Sequence, residues 1–127
     1  MATILIAEDE HDIRELLNFT LTFAGYTVTT AKNGAEAVEL APKVKPDLIM
    51  MDVRMPRMTG YEACRHIKAM DGMQDIPVIF LSAKGQDEEV QNGLEAGAAA
   101  YIIKPFMPDD LIRRVGEILK QHGAAQS

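Results

Sequence analysis

The chain has 127 residues, 47% of them hydrophobic and 25% charged, with a net charge of −6. This size and balance suit one globular domain with a layered core, and the acidic excess argues against a general nucleic-acid-binding face, which needs basic residues. No apolar run approaches a membrane span, Glu8, Asp9 and Glu10 interrupt any signal-type core, and the single Cys64 excludes an internal disulfide and fits a reducing, cytoplasmic compartment.

Thr3 to Ala7 carries a continuous Ile4-Leu5-Ile6 core, which predicts a central parallel strand covered on both faces. It runs into Glu8-Asp9-Glu10. A helix follows from about His11 to Ala24, with Ile13, Leu16, Leu17, Leu21 and Ala24 on one apolar face and Gly25 as its C-terminal cap. Tyr26 to Thr30 alternates Tyr26 and Val28 with Thr27 and Thr29, the pattern of an edge strand. Asn33-Gly34 turns into a second helix containing Ala37, Val38, Leu40 and Ala41. An interior proline costs roughly 3 kcal/mol, so Pro42 predicts a stop or kink there.

Leu48 to Met51 is a short apolar run between turn formers and reads as a buried strand that ends on Asp52. Pro56 and Gly60 mark the loop after it. A third helix spans about Thr59 to Ala69 with Ala63, Cys64 and Ile67 facing inward, and Gly72 to Ile76 is a loop. Pro77 to Leu81 is the fourth strand and leads into Ser82-Ala83-Lys84. A fourth helix is predicted over Asp87 to Ala96, weakened by up to about 1 kcal/mol by Gly93 and closed by Gly97. Ala100 to Ile103 is the fifth strand and leads into Lys104-Pro105. Pro108 opens the last helix, whose stripe is Leu111, Ile112, Val115, Ile118 and Leu119, and Gly123 ends it. Residues 1–123 thus read as one domain and 124–127 as a frayed tail. His11, His66 and His122 are scattered on exposed helix positions with no metal-ligand spacing.

Strand and helix alternate five times, which predicts an α/β, doubly wound parallel sheet with right-handed crossovers and helices on both faces. The C-terminal strand ends of such a sheet share one edge, where open α/β folds bind ligands. Glu8, Asp9, Asp52, Ser82 and Lys104 would converge there. An ionised Asp at the end of a buried strand must be paired, hydrogen-bonded or metal-bound. The set suits a divalent cation and a phosphoryl group. Plainer readings exist for each residue. Asp52 caps a turn; Glu8 and Asp9 sit where a helix N-terminus favours acids; Ser82 is a turn serine; Lys104 is a surface lysine; Tyr101 keeps its hydroxyl in water.

Taken together, Glu8-Asp9, Asp52 with Met55-Pro56 and Gly60, Ser82-Ala83, Tyr101 and Lys104-Pro105-Phe106 resemble the receiver domain of two-component response regulators. The likeness holds in order and spacing over nearly the whole chain. It implies a flavodoxin-like, five-stranded sheet of order 2-1-3-4-5 with five helices. It implies that Asp52 accepts a phosphoryl group from the phosphohistidine of a sensor histidine kinase or phosphotransfer protein. It implies Mg²⁺ held by Asp9, Asp52, the carbonyl of Arg54 and, through water, Glu8. Ser82, the amide of Ala83 and Lys104 would bind the phosphoryl oxygens, and the Lys104–Pro105 bond would be cis. Ser82 and Tyr101 would move together as a switch. That movement would change the surface of the fourth helix, fifth strand and last helix, which meets a downstream protein target. Arg54 and Lys84 stand two positions beyond Asp52 and Ser82. Both should border the path of an attacking water, and the Arg54 guanidinium should cover the phosphoryl group. The other reading has Arg54 in solvent, paired with an acid.

Three rivals are weighed by the same residues. A phosphatase of the haloacid dehalogenase type usually has a second Asp where Arg54 stands, and Arg54 cannot relay a proton. A nucleotide-binding module would need a glycine-rich phosphate loop, which is missing. A receiver-like module that only binds partners would not need Glu8, Asp9, Asp52, Ser82 and Lys104 together. The chain acts either alone on a target or as part of a longer regulator. Receivers resembling the winged-helix class pair an acidic doublet before the aromatic with an arginine in the last helix. Here Arg114 is in place but Ala99 and Ala100 replace the acids, so a monomer is expected.

Overall fold

The computed structural model describes residues 2–83 and 98–122. The predicted fourth helix, Lys84, Gly123 and the C-terminal tail lie outside the described residues. The elements in chain order are β1 (Thr3–Ala7), α1 (His11–Phe23), β2 (Thr27–Ala31), α2 (Gly34–Val44), β3 (Leu48–Asp52), α3 (Gly60–Lys68), β4 (Val78–Ala83), β5 (Ala100–Lys104) and α4 (Pro108–Gln121). The strands form one sheet of order β2-β1-β3-β4-β5, with every neighbouring pair parallel.

The two-residue period of the strands sorts the core into two layers. Leu5, Ile49, Met51 and Phe80 point to one face and meet Ala37 and Ala41 of α2 and Ala63, Cys64 and Ile67 of α3. Ile4, Ile6, Met50, Ile79 and Leu81 point to the other and meet Leu17 and Leu21 of α1 and Leu111, Val115 and Leu119 of α4. Every residue of β3 is buried, as a central strand requires. β2 is half-exposed at the sheet edge.

Several expectations need correction. α2 does not stop at Pro42 but continues to Val44. The missing N–H removes one bond of the final turn, and Lys45 then closes the helix in the left-handed region at φ 53°, donating its N–H to the Ala41 carbonyl. A proline this close to the end leaves the earlier turns intact. On α1 the buried face is Leu17, Thr20 and Leu21, while Leu16 is 45% exposed and Ala24 is an exposed cap. Thr20 lies at the centre of the helical stripe and Leu16 at its flank, so position outweighs hydrophobicity. β2 begins one residue later than predicted. β4 and β5 run on to include Ser82, Ala83 and Lys104, because ladder pairing continues through Ser82–Ile103 and Ala83–Lys104.

Two glycines fix the loops at the C-terminal sheet edge. A Cβ on Gly60 would lie 2.4 Å from the Asp52 carbonyl oxygen, and one on Gly34 would lie 2.5 Å from that of Met58. Only glycine permits these approaches. Thr59 opens α3 with a capping box, its hydroxyl accepting from the Glu62 N–H while the Glu62 carboxylate accepts from the Thr59 N–H.

Candidate functional site

The chain leaves β1 for α1 on one sheet face and β3 for α3 on the other, so a crevice opens between adjacent β1 and β3 at their C-terminal ends. Glu8, Asp9 and Asp52 line it. One carboxylate oxygen from each lies within 4.8 Å of the others. Glu8 and Asp52 are buried, and Asp9 faces solvent. Lys104 reaches in from the end of β5. Its Nζ donates to Asp52 Oδ2 at 3.0 Å and to Glu8 Oε1 at 3.1 Å.

The electrostatics follow from this crowding. Burial, and then the charge of Asp52, push the Glu8 carboxyl up to about 7, against the opposing pull of the Glu10 N–H and Lys104. Burial pulls Lys104 down, but its hydrogen bond to Asp52 and the charges of Asp52 and Glu8 outweigh it and leave the ammonium above its usual range. One lysine faces three carboxylates, so the cluster keeps an excess of negative charge. Hard oxygen donors with one carboxylate open to water match a cation that keeps part of its hydration shell, as Mg²⁺ does.

Of the other sequence candidates, Arg54, Ser82 and Ala83 stand next to this centre in chain or register. The Arg54 N–H approaches Asp52 Oδ1 at 3.4 Å, and the residue is exposed. Ser82 is buried on β4, one position beyond Leu81, the register partner of Asp52. Ala83 pairs in register with Lys104. The Lys104–Pro105 peptide is cis. Tyr101 is not at the acid cluster. It pairs with Phe80, three residues before Lys104. Lys84 lies outside the described residues.

Two residues that contact these candidates escaped the sequence reading. Arg14 sends Nη1 back to the Glu8 carbonyl at 2.9 Å and to the Asp9 carbonyl at 3.5 Å. The visible signal was a cation in the first turns of a helix, where the dipole favours anions. Tyr61 directs its hydroxyl to that of Tyr101 at 2.8 Å. The helical period that picks out Cys64 and Ile67 could have included it, because Tyr61 is three residues before Cys64.

Known proteins share this architecture. The model of the response regulator receiver domain matches residues 4–116. The phosphate regulon transcriptional regulatory protein PhoB of Pseudomonas aeruginosa is 41% identical over 125 residues, covering 98% of this chain and 55% of that protein. The probable transcriptional regulator ycf27 of Porphyra purpurea is 40% identical over 118 residues, covering 93% of this chain and 47% of its own length. The chain thus spans about half the length of these curated relatives. Among solved structures, chemotaxis protein CheY4 of Vibrio cholerae superposes with a TM-score of 0.89 at 35% identity, over 93% of this chain and 98% of that one. The receiver domain of sensor histidine kinase PA1611 from Pseudomonas aeruginosa has a magnesium ion coordinated in its active site cleft. It superposes with a TM-score of 0.87 at 33% identity, over 94% of this chain and 98% of that one.

Proposed function

The chain belongs to the receiver-domain family of response regulators, a family of signalling domains, and we propose that in it Asp52 is the residue that carries the phosphoryl group. The supporting observation is the convergence of Glu8, Asp9, Asp52 and Lys104 at one sheet edge, with Lys104 bridging two of the acids. The donor is a phosphohistidine of a sensor histidine kinase or phosphotransfer protein. An Asp52 oxygen attacks phosphorus, the P–N bond to histidine breaks, and the imidazole leaves with its electron pair and takes up a proton.

Asp9, Asp52 and the carbonyl of Arg54 would hold Mg²⁺, with Glu8 acting through water. When bound, the ion would neutralise part of the charge on the carboxylates and the phosphoryl oxygens. Lys104 supplies the remaining cationic contact from the other side. Ser82 and the amide of Ala83 donate to the phosphoryl oxygens, and the Ser82 movement is followed by Tyr101. The reshaped surface then meets a downstream protein. None of the described helices is long and apolar enough to cross a membrane, and we place the reaction in the cytoplasm, where such donors work.

The test is phosphorylation with acetyl phosphate and Mg²⁺, followed by intact-mass measurement. Wild type should gain one phosphoryl group, and Asp52→Asn none. Full labelling of the Asn variant would remove Asp52 from the role. Asp9→Ala should weaken Mg²⁺ binding, and an unchanged metal affinity would overturn the ligand assignment.

A further inference from the structure

The hydroxyls of Tyr61 and Tyr101 meet at 2.8 Å, although the residues stand forty positions apart on different elements. Phe80 lies between them. Its ring meets Tyr61 edge-on at a centroid distance of 5.0 Å and Tyr101 at 5.7 Å. Tyr61 is only 8% exposed. A phenol this deep keeps its hydroxyl paired, because an unmade hydrogen bond in such a place carries the full desolvation penalty. The Tyr101 ring, in contrast, is half-buried on the outer part of the sheet. It can turn outward, but only by giving up the Tyr61 hydroxyl and the Phe80 face.

Tyr61 is also tied to the phosphoacceptor loop. It follows Gly60, whose N–H donates to the Val53 carbonyl at 2.9 Å and on which a Cβ would run into the Asp52 carbonyl. On the far side, the Tyr101 carbonyl accepts from Arg114 Nη2 at 3.4 Å. Arg114 and Tyr101 line an open groove with Ile103, Phe106 and Met107, of which Ile103 and Met107 are exposed. A continuous run of contacts therefore leads from the Asp52 strand end through α3 and two phenols to the surface of β5 and α4.

We propose that Tyr61 is a positioning residue that latches the Tyr101 ring inward before any phosphoryl group is present. The latch couples the Asp52 loop to the β5–α4 groove. This rests on the reading of Tyr101 as the moving aromatic. A ring already held in the inward position leaves less reorganisation for the phosphorylated state. Ligands that favour that state then bind more tightly, since the competent form is populated in advance. Loss of one such hydroxyl contact should weaken them on the order of three- to tenfold, the Boltzmann equivalent of one net hydrogen bond.

The chain contains three tyrosines and no tryptophan, so ring-labelled tyrosine gives three NMR signals, and Tyr26→Phe assigns one of them. Tyr61→Phe keeps the packed ring and removes only the hydroxyl. It should move the Tyr101 ring resonances away from their Phe80-shifted positions. It should also weaken beryllofluoride binding in the presence of Mg²⁺ by about three- to tenfold, with Mg²⁺ affinity alone unchanged. In a Tyr101→Phe background the same substitution should have a clearly smaller effect, because the partner hydroxyl is already gone. Unchanged Tyr101 resonances and beryllofluoride affinity in Tyr61→Phe would overturn the latch. Additive losses in the double variant would overturn it as well. If Tyr61→Phe shifts the ring while beryllofluoride affinity ignores both substitutions, the pairing stands but Tyr101 is not the switch, and the coupling falls with that reading.

Discussion

Two side chains decide how the site behaves at the scale of single residues. Burial, and then the charge of Asp52, push the Glu8 carboxyl from 4.5 to about 7. The sign follows directly. A carboxyl with a raised folded-state value binds its proton more tightly in the folded chain, so its favourable contribution is full below about 4.5 and is lost as pH rises through about 7. In chelator, wild type should therefore lose stability from this group as pH rises from about 4.5 through about 7. Asp52→Asn removes one of the two main causes. Urea unfolding at pH 7 without metal should find the Asn variant more stable than wild type, with the gap narrowing toward pH 5. A less stable variant would contradict the crowding of like charges. Arg54 acts on lifetime instead. Its backbone N–H faces the Asp52 carboxylate, and we propose that its side chain covers the phosphoryl group from water. Arg54→Ala should lose the phosphoryl group several-fold faster, with the Mg²⁺ requirement unchanged. An equal or slower rate of phosphate release would take Arg54 out of the mechanism.

Among the elements, α3 starts close against the Asp52 strand end, where a Cβ on its first residue would lie 2.4 Å from the Asp52 carbonyl oxygen. Its start is fixed by the Thr59–Glu62 capping box, by the Gly60 N–H on Val53, and by the burial of Tyr61, Ala63, Cys64 and Ile67. Thr59→Ala should cost about 1 kcal/mol in denaturant unfolding. Lys68 anchors the other end, donating to the Gln74 and Ile76 carbonyls that lead into β4. The cap therefore tunes stability, while the Tyr61 hydroxyl beyond it tunes the coupling. A Thr59→Ala variant as stable as wild type would show that burial alone sets the helix start.

For the whole molecule, the sheet is sandwiched between α1 and α4 on one side and α2 and α3 on the other. The central strands β1, β3 and β4 are thereby shielded on both faces, and Glu8, Asp9, Asp52 and Lys104 emerge at the C-terminal edge. We propose that the chain does not associate through β5 and α4, because the described residues there offer no charge pairing across such a face. Arg114 turns inward to the Tyr101 carbonyl, Arg113 pairs with Asp110 and Glu117 on its own helix, and Ala99 and Ala100 offer no acids. Sedimentation of the beryllofluoride-treated chain should show mainly monomer. A tight dimer through that face would contradict the reading.

The sequence by itself determined the layers and the edge. Short continuous apolar runs such as Ile4 to Ile6 and Leu48 to Met51, bounded by turn formers, suit central strands covered on both faces, and the helical stripe Leu111, Val115, Leu119 covers one face of them. Those local patterns place Glu8, Asp9, Asp52 and Lys104 at strand ends, so the site was legible as a set of residues. Local pattern did not decide how far strands extend, which is set by pairing with a neighbour, as Ser82 and Lys104 show. Nor did it decide that Thr20 rather than Leu16 is buried, because the axis of α1 is set by the sheet beneath it. The Arg14 contact with the Glu8 carbonyl and the meeting of Tyr61 with Tyr101 were equally hidden. Contacts of that kind depend on where whole elements come to rest, and only the tertiary structure fixes those positions.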